Sequence, residues 1–467
     1  MQRQHPSIAD PTQPMPIHST TPPLFATSGL VLLTALMFVW PIQHTIALRY
    51  FLLGLALIWS FFGWSLYGRG RQGGKLPAFI WWTLGLLTVW MYIGAFGWAL
   101  DPAKTLHQIA SQWLVTLLCF GIGASAAYLL PDQRHLLLRL LFAVLAVNVW
   151  ALVLLDVWYW IQHGHFLRRY GGLESIDLFV NNNAMDKANY LTNMYFAFLL
   201  AEIVLRRAGR KSLLGLGYAP IAILFVIGFM ASWIEDMRNG TVAFGLMVLL
   251  TLALLIAVAP PQRRRREAVV VLLLLAFGGV FMGYMISHQP RWRSLVETFP
   301  IALDTQHNRE WLTGGLPKFP NGVTVDQSNY QRIAWAKEAV HVLMVFPFGV
   351  GFQNQAFGYG VDAIYHTDAQ RGNHSHSGLL DLADGTGLPG LILWLGFVLG
   401  VWFWALGTFR EQRIAPAAPL LLLVFDFTAR SAVDSILADH MWQQFMFLAG
   451  FLATWTAVER RRITGHD

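Results

Sequence analysis

Two histidines separated by one residue lie in the polar stretch NHSHSG at residues 373–378. Ser377 is a typical N-cap residue for a helix that begins with the following GLLDLAD segment, because its side-chain oxygen accepts backbone N–H groups of the first turn. His376 would then lie beside the positive end of a helix dipole, which disfavours imidazolium. A neutral imidazole can accept a proton from an attacking hydroxyl group. The pattern predicts His376 as a general base, with His374 sharing or holding that role.

The His-x-His spacing is also compatible with metal binding. Asp368 or Asp381 would have to complete such a site. No third ligand is clearly placed, and Asp381 and Asp384 more simply stabilise the first turns of the following helix. We therefore expect no metal. The chain has no P-loop and no GxGxxG fingerprint, so we also expect no nucleotide cofactor.

Arginines are the candidates for binding an anionic group, because a guanidinium binds phosphate and carboxylate groups bidentately and offsets their charge. Arg332 lies on a predicted amphipathic helix over residues 330–345. Arg238 lies near the external end of two apolar stretches, where a charge is costly unless it is paired or used. For the remaining arginines, a solvated side chain is the alternative. The candidate substrate-binding arginines are Arg332, Arg238, Arg371, Arg168 and Arg169.

The amino-acid composition indicates that the helices positioning these histidines and arginines belong to a membrane protein. Of the 467 residues, 55% are hydrophobic and 13% are charged, and the mean hydropathy is +0.47. These values exclude a soluble enzyme. The net charge of +7 comes from basic clusters between apolar runs, which is typical of membrane topology rather than nucleic-acid binding. The single cysteine, Cys119, excludes an intramolecular disulfide.

Twelve apolar stretches are candidates to cross the membrane, since about 20 apolar residues span the hydrocarbon core. They cover residues 24–43, 47–67, 77–100, 109–130, 136–160, 188–205, 212–233, 240–259, 268–286, 388–409, 416–434 and 441–458. Each basic cluster follows an even-numbered stretch, which puts both termini in the cytoplasm. Within the eleventh stretch we expect Arg430 to pair with Asp426 or Asp434.

The predicted fold class is therefore an all-α, polytopic membrane protein with about 12 transmembrane helices and one large external loop. The predicted divisions are a disordered cytoplasmic tail (1–23), nine spans (24–286), the large loop with the histidine motif (287–387), three spans (388–458) and a second tail (459–467).

The sequence of the loop also resembles that of a known family. An arginine, a Pro-Gly-x-Gly-like turn, a His-polar-x-x-Leu motif and a Gly-x-x-Gly-Leu motif follow one another, as in the O-antigen ligase and polymerase superfamily. The matching residues are Arg332, Pro347, Gly349, Gly351, His376, Leu380, Gly387, Gly390 and Leu391, with Trp335 closely after the arginine and a Ser-Arg-Gly-like turn at 232–240. One departure is Ser377, where the family usually has asparagine; both residues cap helices.

The resemblance implies a metal-independent glycosyltransferase of the bacterial inner membrane, with its large loop and active site in the periplasm. The implied donor is a glycan on undecaprenyl diphosphate, and the implied acceptor is the lipid A–core of lipopolysaccharide. Membrane lipids would surround the chain, and no nucleic acid is involved. Direct displacement by the acceptor hydroxyl would invert the anomeric carbon, and no carboxylate pair at glycosidase spacing is evident.

The sequence leaves two alternatives open. An O-antigen polymerase or a protein O-oligosaccharyltransferase of the same superfamily would use the same chemistry on another acceptor. A transporter of a lipid-linked sugar belongs to another class, and twelve spans would suit it as well. Transporters place ionisable groups at mid-membrane, whereas the polar groups of this chain gather in an external loop.

Overall fold

The computed structural model describes residues 22–42, 44–68, 74–165, 185–235, 237–288 and 290–465. These residues are almost entirely helical, and the only β-type pairing among them is an isolated bridge between Lys318 and Thr324. The all-α prediction is confirmed for this part of the chain.

The first part of the chain forms ten helices, of which α4 and α5 are joined through a π-helical segment, Ile109–Leu114. They are α1 (Pro23–Val39), α2 (Ile46–Tyr67), α3 (Ala78–Gly97), α4 (Pro102–Gln108), α5 (Val115–Leu129), α6 (Arg134–His163), α7 (Met185–Arg207), α8 (Tyr218–Glu235), α9 (Arg238–Val258) and α10 (Pro261–His288).

The remaining helices fall into a group of four and a group of three. The group of four is α11 (Pro290–Leu303), α12 (Glu310–Thr313), α13 (Gln327–Val345) and α14 (Ala356–Tyr365). The group of three is α15 (Gly378–Gln412), α16 (Ala417–Ser431) and α17 (Asp439–Thr464).

Each of the twelve predicted stretches coincides with a helix or, in the fourth case, with the continuous run from α4 to α5. By length and apolarity, seven helical runs among the described residues could cross a membrane. They are Ile46–Tyr67, Ala78–Gly97, Pro102–Leu129, Arg134–His163, Tyr218–Glu235, Asn239–Val258 and Gly378–Gln412. The chain is thus a multi-pass membrane protein, while the number of twelve spans stays a prediction.

The outer helices present large apolar side chains to their surroundings. Phe51, Phe61 and Phe62 on α2 and Trp82 on α3 are all more than half exposed. A helix satisfies its own backbone hydrogen bonds and can therefore present such a face to lipid. The exposed faces are what a hydrocarbon environment requires.

The closest helix packing is between α5 and α17. At Gly123 an added Cβ would meet the carbonyl of Phe447, and at Gly450 it would meet the carbonyl of Phe120. Small residues at such crossings let two backbones approach, and in a membrane this packing replaces the hydrophobic effect as the source of helix association.

The helices α11 to α14 form a separate apolar core outside the bundle. Its largest buried side chains are Trp311, Tyr330, Trp335 and Phe357. The predicted helix over 330–345 is α13, which ends just before Pro347. The large loop is therefore a folded helical unit; its placement in the periplasm stays a prediction.

A buried polar network ties α7, α8 and α16 together. The fully buried Arg430 forms an ion pair with Asp434 at 3.0 Å, which confirms one of the two expected partners. Its Nη1 also donates to Asn189 Oδ1 at 2.6 Å, and Asn189 Nδ2 donates to Glu235 at 2.6 Å. The network fixes the end of α16, from which residues 432–437 lead into the site described next.

Candidate functional site

The turn at residues 374–378 carries both candidate histidines and is held by hydrogen bonds on all sides. The Ser377 hydroxyl accepts from Leu380 N at 3.3 Å, which confirms the expected N-cap of α15. Gly378 N donates to the carbonyl of Asp434 at 3.0 Å, and Ser375 N donates to the Asp381 carboxylate at 2.7 Å. These contacts bind the turn to the first turn of α15 and to the segment that follows α16.

The backbone of His376 has a φ of 60°, in the left-handed region that residues other than glycine rarely adopt. Its ring stacks on Trp335, with centroids 5.3 Å apart and an angle of 11° between the planes. Trp335 follows Arg332 by three residues, so both lie on the same face of α13. The aromatic residue after the arginine thus serves as a platform for the histidine.

Burial, with smaller contributions from the neighbouring His374 and Arg332, lowers the pKa of His376 to about 3. The imidazole is therefore neutral at physiological pH, as predicted, but the main cause is burial rather than the helix dipole. Within the described part of the chain, neither ring nitrogen of His376 forms a hydrogen bond.

His376 and Arg332 line the same cavity, which has a volume of about 1400 Å³; we call it the Arg332 cavity. Arg332 is half-buried and donates to the carbonyl of Val433 at 3.5 Å. No carboxylate of the described chain lies within ion-pair distance of its guanidinium, which leaves it able to bind an anion. Much of the remaining wall is apolar, including Phe299 and Met344.

Three polar residues of this cavity were not found from the sequence. The hydroxyl of Tyr365 donates to the buried Glu338 at 2.8 Å, and His341 Nδ1 lies 3.3 Å from the same carboxylate. Burial raises the pKa of Tyr365 to about 12, so it keeps its proton. Glu338 and His341 do lie on the predicted helix, but Tyr365 lies 27 residues further along the chain, and a single sequence does not reveal that contact.

His374 faces a second, smaller space of about 320 Å³, which we call the His374 cavity. Its ring centroid lies 4.6 Å from that of His376. The two predicted base candidates are therefore neighbours that line different cavities.

The other candidate arginines do not join Arg332 in its cavity among the described side chains. Arg371 forms an ion pair with Asp368 at 2.8 Å and lies over the ring of Tyr359, beside a third space of about 590 Å³. Arg238 is the first residue of α9, and its side chain is not described; the adjacent Met237 and Asn239 line the Arg332 cavity. Arg168 and Arg169 lie outside the described residues.

The glycines of the motif bring the chain against the start of α15. Gly387 has a φ of 71° and a ψ of −177°, which breaks the helix at this residue. Gly349 has a φ of 86°, and an added Cβ there would lie 2.6 Å from Gly387 N. The Gly-rich stretch therefore holds the loop close to α15, the helix whose N-cap is Ser377 of the histidine turn.

In the part of the chain that the structure describes, no three His, Cys, Asp or Glu side chains cluster as metal ligands would. A reaction without a metal stays a prediction.

The fold and the site define a multi-pass membrane protein, helical through almost all of its described residues, in which a neutral histidine and an arginine line one cavity. Residues 222–395 match the family model described as O-antigen ligase, which confirms the resemblance to the O-antigen ligase superfamily. This region includes Arg238, Arg332, Arg371 and both histidines. A comparison with curated protein sequences gives no significant match.

Proposed function

We propose that this protein transfers a glycan from undecaprenyl diphosphate to the lipid A–core of lipopolysaccharide, on the periplasmic face of the bacterial inner membrane. One observation carries the proposal. A half-buried, neutral His376 and an Arg332 without a described carboxylate partner line a single cavity. This pairs a proton acceptor with an anion-binding group, as displacement of a diphosphate requires.

The Arg332 cavity suits a lipid-linked donor because it combines an apolar wall with a cation. Phe299, Val340 and Met344 supply apolar surface for the first part of the polyprenyl chain. Arg332 binds the diphosphate through charge-assisted hydrogen bonds. Arg238, at the start of the neighbouring α9, is proposed as a second diphosphate ligand.

The reaction is a direct displacement at the anomeric carbon. The acceptor hydroxyl loses its proton to His376 while its oxygen forms a bond to that carbon. The bond between the anomeric carbon and the diphosphate oxygen breaks, and the electron pair stays on the diphosphate, where Arg332 offsets the charge. The sugar configuration inverts, and the energy of the phosphate–sugar bond drives the transfer.

Donor binding also improves His376 as a base. In the unliganded protein, burial and Arg332 oppose protonation of the ring. A bound diphosphate neutralises Arg332 and places negative charge beside the imidazole, which favours imidazolium. The histidine therefore becomes a competent proton acceptor when the donor is in place.

Reconstitution in proteoliposomes tests the proposal. The donor is a purified polyprenyl-diphosphate glycan, and separate reactions offer lipid A–core, a second lipid-linked glycan or a protein acceptor, each with and without EDTA. We expect transfer to lipid A–core at the same rate in EDTA. Transfer only to the glycan or only to the protein would contradict the ligase assignment, and loss of transfer in EDTA would contradict the metal-independent mechanism.

A further inference from the structure

The ends of three helices that are far apart in the sequence meet at a group of basic residues. Arg210, just after α7, donates from Nε to the carbonyl of Arg413 at 2.5 Å and from Nη2 to the carbonyl of Gln412 at 2.7 Å. Arg413 follows α15 directly and donates to the carbonyl of Val258, the last residue of α9, at 3.2 Å. These hydrogen bonds hold the ends of α7, α9 and α15 against one another.

The first turns of α10 belong to the same group. Arg207, the last residue of α7, forms an ion pair with Glu267 of α10 at 3.4 Å. This pair places the four consecutive arginines at residues 263–266 beside the end of α7. We call the exposed cations of these helix ends the basic patch; they are Arg207, Arg210, Lys211, Arg263, Arg264, Arg265, Arg266 and Arg410.

The positive charge of the basic patch is not offset within the described part of the chain. The segments 206–211, 258–267 and 410–413 contain only two carboxylates, Glu267 and Glu411. Among the described residues, the side chains at 263–266 form no ion pair and no hydrogen bond. Cations held this close repel one another, and cations in the first turns of a helix also oppose its dipole. The arginines therefore do not stabilise α10, whereas an anion from outside the protein would reduce their repulsion.

The position of the basic patch indicates which anion lies within reach. Val258 and Gln412 are the last residues of two helical runs that are long and apolar enough to cross a membrane. Groups at the end of such a run lie at the level of the lipid headgroups. The histidine turn lies at the opposite end of α15, so the basic patch is separate from both cavities. The phosphates of membrane lipids are therefore the nearest anions.

We propose that the basic patch binds the phosphate headgroups of anionic phospholipids in the leaflet that surrounds it. Basic residues at helix ends also direct topology, but topology requires only that they lie on one side of the membrane. The contacts of Arg210 and Arg413 do more, because they bring cations from separate segments to one place. Guanidinium groups bind phosphate oxygens bidentately, and clusters of basic residues next to a span bind anionic lipids. This inference does not depend on the proposed glycan transfer.

Native mass spectrometry of the full-length protein in a neutral detergent tests the inference. The protein is incubated with equal amounts of phosphatidylglycerol, which is anionic, and phosphatidylcholine, which is zwitterionic, and the retained lipids are counted. We expect the wild type to retain phosphatidylglycerol in preference by about tenfold or more, because several cations act on one headgroup. Arg264→Gln, Arg265→Gln and Arg266→Gln, combined in one variant, should reduce the preference to about twofold or less.

The matched control replaces the three arginines at residues 460–462, near the end of α17, by glutamine. That cluster has an acidic partner within the protein, because Glu459 pairs with Arg462 at 3.1 Å and with Arg134 at 3.5 Å. The control should therefore keep the wild-type preference. Equal losses in the two triple variants would show that overall charge selects the lipid and would overturn the inference. A wild type without any preference would overturn it as well.

Two further measurements separate headgroup binding from folding and from binding of free anions. Arg264→Lys, Arg265→Lys and Arg266→Lys together keep the charge, so this variant should keep most of the preference, and its loss would overturn the inference. In detergent, phosphatidylglycerol should raise the melting temperature of the wild type, while inorganic phosphate at the same concentration should not. Equal stabilisation by both would indicate a site for free anions and would contradict the lipid assignment.

Discussion

His376 combines an unusual backbone conformation with a half-buried ring. Its left-handed φ of 60° is maintained by the contacts of Ser375, Ser377 and Gly378 on either side. Sparsely populated backbone conformations persist only where the surroundings over-determine them, and they concentrate at functional sites. The conformation directs the ring onto Trp335 and into the Arg332 cavity, which is the position that the proposed base needs.

The pH dependence of the reaction follows from the depressed pKa of this residue. Because the folded-state pKa of about 3 lies below the usual 6.5, His376 stays neutral as the pH falls until it approaches the folded value. We expect kcat/KM for the donor, which reports on the free enzyme, to show no titration near 6.5 between about pH 5 and 8. The prediction would be contradicted if kcat/KM of the wild type fell at acidic pH with a midpoint near 6.5 and this decrease were absent when His376 is replaced by Gln or Ala.

The same shift has a consequence for stability. The unfolded chain binds a proton at this histidine below about pH 6.5, whereas the folded chain does not. The contribution of His376 to stability is therefore complete above that pH and decreases as the pH falls towards the folded pKa.

Arg332 should act on the donor more than on the acceptor. Arg332→Ala removes the diphosphate ligand, so we expect the donor KM to rise about 10- to 100-fold, as for loss of a charge-assisted hydrogen bond. The acceptor KM should change little, and Arg332→Lys should restore part of the loss. Arg293→Ala, at an exposed residue of α11 paired with Glu297, is the control. Equal increases in both KM values would contradict the assignment.

At the scale of elements, α15 is two helical segments joined at Gly387. The φ of 71° and ψ of −177° at this glycine lie in a region that is essentially inaccessible to other residues. A Cβ there would also meet the backbone of Phe348. Because of the break, the N-terminus of the first segment and the histidine turn face the loop. The second segment continues into the bundle.

We therefore expect Gly387→Ala to destabilise the protein by about 1–3 kcal/mol or more and to reduce transfer. Gly407→Ala, later in the same helix with open space around it, is the matched control and should be neutral or slightly stabilising. Unfolding in detergent and transfer rates measure both effects. A Gly387→Ala protein as stable and active as the control would show that the break is dispensable.

Local features of the site could be predicted from the sequence because their causes are local. The cap by Ser377 depends on residues three apart, and the end of α13 at Val345 depends on the nearby Pro347. The contact of Arg332 with Val433 spans 101 residues, and that of Ser435 with Asp381 spans 54. Such contacts depend on how helices pack, so neither cavity could be inferred from local patterns.

At the scale of the whole molecule, the segment after α16 connects the bundle with both cavities. The buried Arg430 fixes the start of this segment through Asp434 and Asn189. Val433 then contacts Arg332 in one cavity, and Ser435 contacts Asp381 in the other. Both cavities are thus positioned by the same helix end.

The proposed topology has a direct test, because Cys119 is buried and should react little with a thiol reagent. We expect Asn321→Cys, in the exposed part of the loop, to be labelled by a membrane-impermeant maleimide in intact spheroplasts. Thr464→Cys, at the end of α17, should be labelled only after permeabilisation. The reverse pattern would place the site on the cytoplasmic side.

The central claim is that His376 is the base of glycan transfer, and the rate of transfer by His376→Ala tests it most directly. The control is His307→Ala, at an exposed histidine outside the cavities. In proteoliposomes with saturating donor and lipid A–core, we expect His376→Ala to be slower than the wild type by about 100-fold or more, with donor binding retained. Transfer by His376→Ala at the rate of the control would contradict the account.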